Sequence, residues 1–113
     1  MVLTYRLTLR LYCDAAVTTY EMLRTEAQPC HAGGPLMRVN WWRVVLDEAH
    51  RVANASTAQS KACCALHAVY RWAVSGTPMQ NQLHDFFSLL RFLQCPECTL
   101  HLAIPCPHAL VLT

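Results

Sequence analysis

Apolar and polar residues alternate over positions 3–13: Leu3, Tyr5, Leu7, Leu9, Leu11 and Cys13 share one parity, with Arg6, Thr8 and Arg10 between them. A repeat of two is the period of a strand with one buried face, so the chain is expected to open with a strand. Residues 15–19 are a second short extended candidate that leads into a helix over residues 20–26, and residues 29–35, with two prolines and a Gly33-Gly34 pair, read as a loop. Residues 42–46 form a β-branched apolar run that stops abruptly at Asp47-Glu48, the pattern of a buried parallel strand. A helix is expected from Ser56 or Thr57, with Ala58, Ala62, Ala65, Leu66 and Val69 on its inner face. Residues 70–75 predict another buried strand. Gly76, Thr77 and Pro78 then punctuate the chain before a helix running to about Leu93, with Leu83, Phe86, Phe87 and Leu90 as its stripe. Strand, helix, strand, helix is the signature of an α/β fold. The stretch after Gln94 has no clear period.

Composition narrows this picture. The chain has 113 residues, 54% apolar and 14% charged, which suits one small domain with a core. A net charge of +2, with the Lys and Arg residues scattered, marks neither a nucleic-acid nor a membrane partner by itself. No apolar stretch reaches the ~20 residues of a membrane-spanning helix, and a membrane partner is not expected. Seven cysteines form an odd set without a leader pattern, and read as reduced thiols of an intracellular protein.

The strongest chemical signal is Asp47-Glu48-Ala49-His50 at the end of an apolar strand. Two adjacent carboxylates there can divide the work of nucleotide hydrolysis, Asp47 holding Mg2+ through water and Glu48 orienting the attacking water. An acidic pair at an ordinary strand-to-loop junction gives the same four letters. A second motif, Ser75-Gly76-Thr77-Pro78-Met79-Gln80-Asn81, again follows an apolar strand and opens a helix.

Together the two motifs resemble the SWI/SNF-type branch of the superfamily-two helicase-like ATPases. The match extends through Leu83, Asp85, Ser88, Leu89, Leu90, Phe92 and Leu93, and upstream through Asp14-Ala15-Ala16-Val17-Thr18-Thr19-Tyr20-Glu21 and Trp41-Trp42-Arg43-Val44-Val45-Leu46. Arg51 and Asn54 sit where the family often has Arg-x-Lys-Asn, with Ala53 in place of the lysine. The wording is closest to the branch of helicase-like transcription factor and transcription termination factor two. The resemblance implies an incomplete RecA-like lobe over residues 1–95, with a mostly parallel sheet flanked by helices, and a divergent tail over residues 96–113. It implies ATP and Mg2+ as cofactors, double-stranded DNA or chromatin as partner, a nuclear location, and a role in chromatin remodelling or DNA repair. Asp47 and Glu48 become the catalytic pair. Ser75, Gly76, Thr77, Gln80 and Asn81 become the motif coupling the nucleotide site to DNA, and Thr18 and Thr19 become DNA-proximal. A DEAH-type RNA helicase is disfavoured, because that group has Ser-Ala-Thr where this chain has Ser-Gly-Thr-Pro.

A phosphate-binding loop needs glycines followed by Lys and Ser or Thr, and the single lysine, Lys61, follows no such loop. The chain alone is therefore expected to lack turnover and to depend on the remainder of the ATPase core. The alternatives are a non-catalytic DNA- or protein-binding module and a degenerate gene fragment. Cys95-Pro96-Glu97-Cys98, with His101, Cys106 and His108, has half the spacing of a zinc site, but a family-like linker that departs near Cys98 is the preferred reading.

Overall fold

A computed structural model describes residues 1–4, 15–28, 33–76, 83–94 and 109–112. Its strands form one sheet: β1 (Val2–Thr4), β2 (Ala15–Val17), β3 (Asn40–Leu46), β4 (His67–Val74) and β5 (Ala109–Leu112), in the spatial order β2-β1-β3-β4-β5. β3, β4 and β5 run parallel, whereas β1 is antiparallel to both of its neighbours. The fold is α/β with a parallel sheet, as the strand and helix alternation predicts. Of the alternating run over residues 3–13, only the start lies within the described residues.

Among the described residues four α-helices accompany the sheet: α1 (Tyr20–Glu26), α2 (Pro35–Arg38), α3 (Ala58–Ala65) and α4 (Leu83–Leu93). Each boundary has a local cause. Thr19 has extended backbone and its hydroxyl accepts the Met22 amide at 3.1 Å, the geometry of an N-cap, and Thr57 does the same for the Ser60 amide. Pro35, at the first helical position, starts α2 where a loop is expected from the sequence. The Glu26 carboxylate secures that turn by accepting the Leu36 amide at 2.9 Å.

Tyr20 and Leu23 of α1, Ala62 and Cys63 of α3, and Leu89, Phe92 and Leu93 of α4 share one core with Val44 and Leu46 of β3 and Ala73 of β4. The helices touch one another in a chain from α2 through α1 and α3 to α4. On β3 the regular alternation breaks. Trp41, Val44 and Leu46 are buried, and both Trp42 and Arg43 reach Tyr70, the first edge-on at 4.8 Å between ring centroids. Arg43 also lies 4.1 Å from the centre of the Trp72 ring.

Three expectations are corrected. α3 ends at Ala65, so Leu66 and Val69 do not belong to its face, and Ala58 and Ala65 are exposed; Ser60, Ala62 and Cys63 point inward instead. Because Leu66 is already extended, β4 begins at His67 rather than at Tyr70, in register with Asn40. On α4 the buried residues are Ser88, Leu89, Phe92 and Leu93, and Phe87 is 65% exposed. That helix carries apolar residues on most of its circumference, and packing against the core, not periodicity, selects the face.

Candidate functional site

Parallel pairing of β3 with β4, with Leu46 opposite Ala73, brings the ends of both strands to the same edge of the sheet. Asp47 and Glu48 leave β3 at that edge and are exposed; Ser75 leaves β4 there and is 2% exposed, followed by an exposed Gly76 with open space where a Cβ would stand. Both motifs singled out in the sequence thus begin side by side. Thr77, Gln80 and Asn81 lie outside the described residues, as do Cys95, Cys98, His101, Cys106 and His108.

Asp47 and Glu48 are tied to each other through the backbone. The Glu48 amide donates to Asp47 Oδ1 at 3.0 Å, and Glu48 sits in the left-handed region at φ 52 and ψ 51. A glutamate is uncommon there, and such strain gathers at functional sites. The chain then enters a 3-10 turn, Ala49–Val52, whose buried Ala49 and Val52 anchor it in the core. His50 Nδ1 lies 3.1 Å from Glu48 Oε2 without the alignment of a hydrogen bond.

Thr18 and Thr19 lie between β2 and α1. The Thr18 amide donates to the Met1 carbonyl at 3.2 Å, and Thr19 is the helix cap described above. The next residue is one that sequence reasoning passed over: the buried Tyr20 hydroxyl donates to the Asp47 carbonyl at 2.7 Å, and the Arg51 guanidinium lies 5.3 Å from its ring centre. Burial raises the phenol well above its ordinary pKa, with the thiol of Cys63 adding to the rise, so it remains a donor. A tyrosine next to the two threonines was the available signal. Asn54 has a local role, its Oδ1 accepting the Ser56 amide at 3.0 Å and the Ser56 hydroxyl at 2.7 Å on the way into α3.

The other unforeseen residue is Arg71 of β4, 3% exposed. Its guanidinium donates to the carbonyls of Cys63 and Leu66 at the C-terminal end of α3 and packs 5.2 Å from the centre of the Phe92 ring. It satisfies carbonyls that the helix end leaves over and sits at the negative pole of the helix. A groove of about 520 Å³ opens beside it, between Asn40, Cys64, His67 and Gln94. That groove lies at the strand starts, away from the carboxylates.

Among the described residues no group of three or more His, Cys, Asp or Glu side chains is placed to hold a metal ion. A Mg2+ ion asks for less. It keeps several waters and is commonly bound by one or two carboxylates plus phosphate oxygens, and the exposed Asp47 carboxylate fits that demand. No described helix is long and apolar enough to cross a membrane.

Comparison with known proteins shows the family of the chain. Residues 5–100 match the family described as SNF2-related domain. The chain is 44% identical over 92 residues to the DNA repair protein RAD5 of Mycosarcoma maydis, covering 72% of this chain and 7% of that protein. It is 44% identical over 82 residues to transcription termination factor 2 of Drosophila melanogaster, covering 73% of this chain and 7% of that protein. Among solved structures, the Sulfolobus solfataricus SWI2/SNF2 ATPase core in complex with dsDNA superposes with a TM-score of 0.54 at 33% identity, over 66% of this chain and 14% of that one. The chain thus spans less than a tenth of the length of these curated relatives. It belongs to the SNF2-related domain family and carries part of that family's ATPase domain.

Proposed function

We propose that the chain is the part of a DNA-dependent ATPase's first lobe that brings the hydrolytic carboxylates to the nucleotide, in a nuclear protein that translocates on double-stranded DNA during chromatin remodelling or DNA repair. The observation that carries this reading is the exposed Asp47-Glu48 pair, standing with Ser75 at one edge of a parallel sheet. Such strand ends are where α/β proteins hold their ligands. Asp47 presents a carboxylate to Mg2+ through water, and Glu48 accepts the proton of the attacking water. Bound Mg2+ supplies charge neutralisation at the phosphates. Ser75, Gly76, Thr77, Gln80 and Asn81 couple the nucleotide site to DNA. Thr18 and Thr19 offer hydroxyls and amides to the phosphate backbone, contacts that position DNA without reading its sequence.

The chain alone lacks a phosphate-binding loop in its sequence, so turnover belongs to the longer protein that includes it. In that protein, Glu48→Gln is expected to lower DNA-stimulated phosphate release by roughly 100-fold or more, the range for loss of a general base, while duplex binding is kept. Unchanged turnover overturns the assignment of Glu48. A native protein without turnover, whose duplex affinity falls steeply with salt, supports the non-catalytic binding module instead.

A further inference from the structure

We propose that Tyr20 is a positioning residue that orients the Asp47-Glu48 pair and carries to it any displacement at Thr18 and Thr19, an inference that rests on reading those carboxylates as the hydrolytic pair.

One peptide unit links the two residues. The Asp47 carbonyl and the Glu48 amide belong to the same plane, and neither can turn without the other. Both sides of that plane are held: the carbonyl accepts the Tyr20 hydroxyl at 2.7 Å, and the amide donates to Asp47 Oδ1 at 3.0 Å. Rotation of the plane would change φ of Glu48, which stands at the left-handed value of 52°, and would pull the Asp47 carboxylate away from its backbone donor. A glutamate is uncommon in that region, and the fixed hydroxyl on the carbonyl side helps to hold it there. One bond from outside therefore sets the direction of two carboxylates.

The other end of the link is equally fixed. Tyr20 is the first residue of α1, directly after the capping Thr19, and is 5% exposed. Its ring lies beneath Arg51 of the 3-10 turn, the turn that immediately follows the acidic pair. Thr18 is anchored by its amide to Met1, and Thr19 by its hydroxyl to Met22. A shift of this segment moves the Tyr20 Cα one peptide away, and the buried ring transmits the shift because packed interiors yield little. The contact spans 27 residues of sequence and joins the start of α1 to the end of β3.

The test is a double-mutant cycle on the 113-residue chain, read from amide resonances in a ¹⁵N-labelled sample. Thr19→Ala is expected to move the Glu48 and Ala49 amides in the Tyr20 background and to move them several-fold less in the Tyr20→Phe background, which keeps the ring and removes the hydroxyl. Additive shifts, equal in both backgrounds, overturn the proposal; if the hydroxyl only stabilises the fold, its removal lowers the unfolding midpoint and leaves the shifts additive. If Tyr20→Phe does not fold, 3-fluorotyrosine incorporation keeps the hydroxyl and gives a second readout. Concerted movement of the Tyr20 fluorine and Glu48 amide signals on Thr19→Ala then supports the link, and movement of the fluorine alone overturns it. Titration with duplex DNA separates this inference from the function proposed above. Silence at Thr18 and Thr19 removes the DNA contact, while the cycle still decides the role of Tyr20.

Discussion

At the scale of single residues, the acidic pair and the arginine of β4 meet opposite fates. Asp47 and Glu48 are left in solvent, while Arg71 is taken almost wholly out of it. Burial lowers the tendency of that guanidinium to hold its proton, and it is compensated by the carbonyls of Cys63 and Leu66 rather than by a carboxylate among the described ion pairs. Arg71→Ala leaves those carbonyls without their donor and opens space beside Phe92. A loss of roughly 2–3 kcal/mol is expected in urea unfolding, the size of a broken buried hydrogen-bond network. The acidic pair was legible in the sequence because carboxylates ending an apolar run are conspicuous. Arg71 was not, because an arginine within a strand reads as a surface residue until packing puts a helix end over it.

Among the elements, α4 gives the sharpest contrast between pattern and packing. Its sequence offers two apolar stripes, one through Phe86 and Phe87 and one through Leu89 and Phe92, and only the second faces the core. Phe92→Ala is therefore expected to cost about 3–5 kcal/mol and Phe87→Ala well under about 1 kcal/mol, compared by urea midpoints at constant slope. Equal losses would mean that the helix is turned about its axis. Helix starts, by contrast, were readable to the residue at Tyr20 and near Thr57, because a capping hydroxyl is a local device that needs no partner from elsewhere. The same holds for the end of β3 at Leu46. The insertion of β1 between β2 and β3 could not be read, since it depends on which edge was free when the strands met. β5, inside a tail without periodicity, was invisible for the same reason.

For the whole molecule, stability is expected to fall under alkaline conditions, and the direction follows from the core thiol. Burial pushes Cys63 from an ordinary 9.0 up to about 12, with neighbouring Cys64 adding to the rise and Arg71 opposing it. The unfolded chain releases this proton first, so between pH 9 and 12 the unfolded state binds fewer protons and the folded state loses ground. Tyr20, raised from 10.0 mainly by burial, adds to the loss above that value. Urea midpoints should be level through neutral pH and decline above pH 9, and Cys63→Ala should flatten the first part of the decline. A decline unchanged in that variant would assign the effect elsewhere.

The left-handed backbone at Glu48 has a consequence for how this protein ages in evolution. Glycine takes that conformation freely, and asparagine more readily than glutamate, so replacing Glu48 by glycine relieves a strain of about 1–2 kcal/mol and, under the hydrolytic role proposed for Glu48, discards the chemistry in the same step. Selection for stability and selection for turnover pull this one position in opposite directions. A gene copy released from catalytic duty has an open downhill path through Glu48→Gly or Glu48→Asn, whereas a copy still at work must hold the less comfortable glutamate. In any lineage that carries this segment, the letter at that position reports which of the two pressures has prevailed.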